Sequence, residues 1–129
     1  MMKKIAFVPQ LCIRRGTYDI NFYEKAFGAE ELRRWSNDDG SIHVAEMSID
    51  GAMFHLHEEV PNTDTFCPDT VKGVTTIIGL MVPDVDTVMK KALEAGARLI
   101  SAAKSYDYGY RQGEVMDPFG HLWLIEMVI

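Results

Sequence analysis

The sequence predicts an α+β chain made of two βαβββ modules in tandem, and three observations carry that prediction. First, a hairpin pattern occurs twice, over 42–49 and 52–58 around Asp50-Gly51, and over 110–116 and 121–128 around Asp117-Pro118-Phe119-Gly120. Proline presets one φ angle of such a corner and glycine accepts the positive φ it needs, so β-rich runs on either side read as paired strands. Second, each hairpin is preceded by an apolar strand, a helix and a further strand. Third, both helices close on the same dipeptide, Gly28-Ala29 and Gly96-Ala97.

Taken in order, 5–13 is apolar and reads as a strand, with Pro9 placing it at an edge or a bulge. The helix expected over 17–27 starts at Thr17 as cap, carries Ile20, Tyr23 and Phe27 on one face and stops at Gly28. Strand 30–35 and the polar turn 36–40 lead into the first hairpin. Residues 60–73 hold two prolines without periodicity and read as a connector, of a length that often borders a binding site. In the second half, 74–82 is an unbroken apolar strand. Asp84 or Asp86 then caps a helix whose Val85, Val88, Met89, Ala92 and Leu93 keep i, i+3, i+4, i+7, i+8 spacing. Strand 98–103 and the closing hairpin complete the chain. Module 1 thus runs over about 4–59 and module 2 over about 74–128, within one domain of 129 residues.

Bulk properties exclude several roles. A net charge of −6, with only scattered basic pairs such as Arg14-Arg15 and Lys90-Lys91, does not suit a phosphate backbone, so no nucleic-acid partner is expected. No run approaches the roughly 18 apolar residues of a membrane span, and the apolar start reaches Pro9 too soon for a secretory leader. The two cysteines, Cys12 and Cys67, lie far apart and imply no structural disulfide; Cys12 reads as a free buried thiol. A cytoplasmic protein with no membrane partner is expected. Phosphate loops, nucleophile elbows and Cys-x-x-Cys pairs are missing from the sequence.

Chemistry-bearing residues concentrate on the two hairpins. His55-Leu56-His57 sets two imidazoles on one face of a strand, with His43 on its neighbour. Glu126, amid Leu122, Leu124 and Met127, reads either as a half-buried carboxylate and candidate general base or as a carboxylate hydrogen-bonded across the sheet or exposed at its edge. Paired with His55, it could take a proton next to a carbonyl, as isomerases and epimerases do. Tyr106, Tyr108, Tyr110 and Arg111 cluster before the last hairpin, where they could wall a ligand, favour a dimer interface or form a structural network.

The βαβββ repeat, the Asn21-Phe22-Tyr23-Glu24-Lys25-Ala26-Phe27-Gly28-Ala29 segment, the Asp84-Val85-Asp86 cap and the ending Tyr-Gly-x-Arg, Asp-Pro-Phe-Gly-His-x-Trp together resemble the vicinal oxygen chelate superfamily. That superfamily holds glyoxalases, bleomycin-resistance proteins and extradiol dioxygenases, and the ending is particularly like its small glyoxalase-like subgroup. The resemblance implies sheets curled into a half-open barrel around a cavity, helices outside, and a homodimer. It also implies a divalent metal held by His and Glu from four strand positions. In this sequence those positions fall on Val8, His55, Ile77 and Leu124, of which only His55 can bind a metal.

No cofactor is therefore expected. If a divalent metal is present, a displaced set of His55, His57 and Glu126 would hold it, with His43 as a fourth group. The function expected is binding of a small, mostly apolar molecule in the sheet cavity without the family's metal centre. His43, His55, His57, Tyr108, Tyr110, Arg111 and Leu124 are the expected ligand contacts. The alternative is a glyoxalase-type lyase or isomerase using His55 and Glu126.

Overall fold

A computed structural model describes residues 4–129 and holds two four-stranded sheets. In the first, β1 (Gln10–Ile13), β4 (Ala52–Glu58), β3 (Ile42–Ile49) and β2 (Glu30–Ser36) lie side by side in that order. The second repeats the order with β5 (Ile77–Met81), β8 (Leu122–Val128), β7 (Tyr110–Met116) and β6 (Arg98–Tyr106). The opening strand of each module pairs parallel with its last, and all other pairs are antiparallel. Neither sheet closes on itself, so the tandem βαβββ arrangement stands as read.

Among the described residues three helices accompany the sheets: α1 (Phe22–Phe27), α2 (Pro68–Val71) and α3 (Val85–Glu94). The strict periodicity of α3 buries Val85, Met89 and Ala92, and Asp84 caps it by accepting from the Thr87 N–H at 3.2 Å. Helix α1 ends as expected on Gly28 in the left-handed region, whose N–H bonds back to Glu24.

Four boundaries differ from expectation, each for a local reason. Strand 5–13 shrinks to Gln10–Ile13, because only from Gln10 onward does the chain find partners on β4. Pro9 marks the switch, its carbonyl accepting from the His55 N–H at 2.8 Å. Likewise 74–82 pairs with β8 only from Ile77 to Met81. Helix 17–27 begins at Phe22 rather than after a Thr17 cap. Thr17 Oγ1 instead donates to the Arg14 carbonyl at 2.5 Å, and Asp19 Oδ1 accepts from the Asn21 N–H at 2.8 Å. Short polar side chains that bond the nearby backbone offer it a turn in place of a helix. Strand β6, finally, runs on past Ala103 to Tyr106, where it pairs with Tyr110.

The core lies where the helix-facing sides of both sheets meet. Phe54 and Leu56 of β4, Met47 of β3, Tyr23 of α1, and Trp123 and Ile125 of β8 are all buried in one cluster. Tyr23, Phe27 and Phe54 each set a ring within 6.0 Å of the Trp123 ring. Aromatic contacts of this kind add to plain area burial.

Beneath these rings sits Asp117, 4% exposed. Its Oδ2 accepts from Tyr23 Oη at 2.7 Å and from Trp123 Nε1 at 2.9 Å, while Oδ1 accepts from the backbone N–H groups of Phe119 and His121 at 2.9 and 3.0 Å. One carboxylate thus shapes the Asp-Pro-Phe-Gly turn and ties module 1 to module 2. Burial and the adjacent Asp117 charge push the Tyr23 hydroxyl well above its ordinary pKa, so it stays a donor.

Candidate functional site

Strand alternation assigns His55, His57, Gln112 and Glu126 to the faces of the sheets turned away from the core. On the first sheet, His55 and His57 alternate with buried Phe54 and Leu56, and they register with Gln10 and Cys12 of β1 and with Glu46 and Val44 of β3. Glu46 is shared: Oε2 lies 3.5 Å from His55 Nε2, and Oε1 lies 3.7 Å from Arg33 Nε on β2. Arg33 in turn covers the ring of half-exposed Trp35 at 4.5 Å. His55 Nε2 is buried without a hydrogen-bond partner. His57 donates through Nδ1 to the Glu58 carbonyl at 2.7 Å, and His43 donates through Nδ1 to Glu58 Oε1 at 3.1 Å. The two rings stand 5.0 Å apart.

On the second sheet, Glu126 accepts from Gln112 Nε2 at 2.8 Å, and the Tyr108 hydroxyl donates to Gln112 Oε1. Glu126 lies over Gly79, where a Cβ would come 3.1 Å from its Oε2. Tyr106, Tyr108 and Tyr110 form a run of rings 5.2 and 6.0 Å apart, continued by Lys104 Nζ over Tyr106 at 5.4 Å. Leu124 is paired with Gly79 on this face. Arg111 is directed elsewhere: its guanidinium donates to both carboxylate oxygens of Asp86 on α3, at 2.8 and 3.1 Å, and to Ser105 Oγ at 3.1 Å. The tyrosines and Arg111 therefore form two separate networks on opposite faces.

The structure brings His43 and His57 together, and Tyr108 and Tyr110 together, but it places His55 and Glu126 on different sheets. Among the described residues, the trio of His, Cys, Asp or Glu whose ligand atoms converge within 4.8 Å is Cys12, Glu59 and Cys67, not His55, His57 and Glu126.

A cavity of about 530 Å³ opens between the inner edge strands β1 and β5 and under the connector. Its apolar wall includes Phe66, Pro68, Val71 and Ile77; Gln10 and His121 supply polar groups. Sequence reasoning marked the connector as a site border, and it does form one wall. It missed His121, which donates through Nε2 to the Cys12 carbonyl at 2.7 Å and so fastens the last hairpin to β1. Arg14 fastens the connector from outside, donating to Asp69 Oδ2 at 2.9 Å and to the Pro118 carbonyl at 3.0 Å. Ile77 is among the four positions that the resemblance marks, and parity along β1 would have located Gln10; nothing local in the sequence signals Phe66 or Pro68.

With two open βαβββ sheets, a shared core and a cavity between the modules, the chain has the architecture expected of the glyoxalase group. It belongs to the Glyoxalase/Bleomycin resistance protein/Dioxygenase superfamily, which it matches over residues 11–125. A protein of Mycobacterium bovis is 37% identical over 121 residues, spanning 92% of this chain and 80% of its own length. Among solved structures, TioX from Micromonospora sp. ML1 superposes with a TM-score of 0.69 at 22% identity, covering 97% of both chains. The fosfomycin resistance protein FosX of Listeria monocytogenes does so at 0.69 with 15% identity, covering 100% of this chain and 96% of its own. At these identities the two structures speak for the fold.

The donor set does not fit the family's metal centre. Of the four positions that would hold the ion, Val8, Ile77 and Leu124 present only hydrocarbon, and His55 alone carries a ligand atom.

Proposed function

We propose that the chain binds a small, mostly apolar molecule in the cavity between β1, β5 and the connector, without the metal centre of its family. The observation that carries this reading is the wall itself: Phe66, Val71, Val74 and Ile77 remain 50%, 53%, 36% and 55% exposed around the cavity. Apolar groups gathered at a concave site with a few polar groups are the usual makeup of a small-molecule pocket. A lyase or isomerase of this kind would need Glu126 free to take a proton beside His55, and Glu126 instead accepts from Gln112 Nε2 at 2.8 Å.

Screening aromatic and alicyclic compounds by thermal shift, then measuring affinity by calorimetry, tests the reading. Ile77→Trp fills the cavity from a side chain that contributes little to the core, so it should leave the melting temperature within a few degrees. Ligand affinity should fall by at least about tenfold, roughly 1.4 kcal/mol. Unchanged affinity in that variant would move the ligand elsewhere and sink the proposal.

The partner proposed is a second copy of the chain. The faces turned away from the core leave Trp35, Ile77 and Met81 at 41%, 55% and 56% exposure, and in the segment before β1 Ile5 and Phe7 stand at 103% and 91%. Apolar surface of this extent is what homodimers cover. Sedimentation at micromolar concentration should give twice the chain mass; a monomer throughout that range would overturn the dimer.

A further inference from the structure

Cys12 and Cys67 lie 55 positions apart, yet their sulfurs are 3.2 Å from each other, the Cys67 thiol donating to Cys12. Both are buried, at 5% and 1% exposure. The fold brings them together from three directions. Strand β1 carries Cys12, registered opposite His57. The chain leaving β4 is held against β1 by the Glu59 N–H, which donates to the Ile13 carbonyl at 2.8 Å. Cys67 then stands at the cap position just before α2, and its N–H donates to Glu59 Oε2 at 2.6 Å.

Glu59 is the third member. Its carboxylate and the two sulfurs all fall within 4.8 Å of one another. Thr70 Oγ1 reaches both of its oxygens, at 2.9 and 2.8 Å, so two donors fix its orientation while lone pairs remain unused. A carboxylate aimed in this way by outer hydrogen bonds is how metal-ligating acids are held. Burial pushes the Cys67 thiol well above its ordinary range and raises Cys12 as well.

We propose that Cys12, Cys67 and Glu59 form a zinc site in the wall of the cavity, with a fourth position open. Two thiolates and one carboxylate suit zinc, while hard ions such as magnesium avoid sulfur. Tetrahedral zinc with sulfur at about 2.3 Å needs the sulfurs to part by roughly half an ångström, within reach of small side-chain rotations. Three protein ligands and one open position is the pattern of zinc that meets a substrate or water, and Cys12 also belongs to the cavity lining. The competing fate of two sulfurs this close is a disulfide. Both sulfurs are almost wholly buried, and buried structural thiols are slow to react with an oxidant. The site shares no residue with Val8, His55, Ile77 and Leu124, and it stands whether or not the cavity takes an apolar ligand.

The test is titration of reduced, chelator-stripped protein with zinc against a chromophoric competitor. One zinc per chain should bind with release of about two protons, one from each thiol. Cobalt in its place should give a sulfur-to-metal charge-transfer band. Cys67→Ser should abolish that band. Because Cys67→Ser could disturb the fold, Glu59→Gln serves as a second variant: its amide oxygen can still accept from the Cys67 N–H, and zinc affinity should drop by about tenfold or more. His55→Ala should bind zinc as the parent does. Failure of the reduced parent to take up zinc, binding unchanged in both Glu59→Gln and Cys67→Ser, or loss of the ion only in His55→Ala would each overturn the site. So would isolation of the native protein with Cys12 and Cys67 already joined.

Discussion

Replacing Asp117 with alanine should destabilise the protein by about 4 kcal/mol, more than any other change to a polar side chain in the molecule. The carboxylate is buried and accepts four hydrogen bonds, two from side chains and two from the backbone. Removing it strands Tyr23 Oη, Trp123 Nε1 and two turn N–H groups without an acceptor, where water has little access. Stranded buried donors cost far more than the net worth of a made bond. For a chain of this size the melting temperature should fall by roughly 10–15 °C. Asp117→Asn should lie between, since its NH₂ would face groups that are themselves donors. Tyr23→Phe should cost only about 1 kcal/mol, because it removes one donor and leaves the acceptor well supplied. Urea unfolding of the three variants gives the order directly. An alanine variant within about 1 kcal/mol of the parent would show that the network does not hold the modules together.

The same residue shows how far the sequence can be read. Asp-Pro-Phe-Gly announces a turn through Pro118 and Gly120, and the hairpin it makes was legible to within one residue, as was the Asp50-Gly51 hairpin. Helix α3 was legible too, because its apolar residues repeat at helical spacing and Asp84 supplies the cap. That Asp117 also receives Tyr23 was not, since the two stand 94 positions apart. Non-local pairing hid the strand starts as well: an apolar run shows that a strand can form, but only β4 and β8 decide where pairing begins. Helix α2 has four residues and takes its capping acceptor from Glu59, so no local signal marks it. His-x-His and Glu126 drew attention by residue type, whereas the cavity and the paired cysteines arise from edges that meet only in the folded chain.

The largest backbone effect is expected at Gly120, and module 1 supplies its control. Gly51 and Gly120 occupy corresponding hairpin turns at nearly the same φ, +90° and +89°. An L-residue in that region costs about 1–2 kcal/mol at either position. Their surroundings differ. A Cβ on Gly51 would meet nothing within 4 Å, but one on Gly120 would lie 2.9 Å from Pro68 Cβ and 3.4 Å from its Cγ. The proline ring cannot rotate away, and it opens α2, so relief requires the connector to move off the turn. Overpacking of this kind adds about 1–3 kcal/mol. Gly51→Ala should therefore cost about 1–2 kcal/mol and Gly120→Ala about 2–5 kcal/mol, with the difference measuring the contact between the last hairpin and the connector. Pro68→Gly in the Gly120→Ala background should recover that difference and none of the φ cost, because it removes the opposing carbons. Equal losses in the two alanine variants, read by chemical unfolding, would mean that α2 yields freely and that the cavity wall it forms is not fixed by the turn. A larger loss at Gly120 would show that the connector is held firmly against the last hairpin at Pro68, as the Arg14 bonds to Asp69 and the Pro118 carbonyl require.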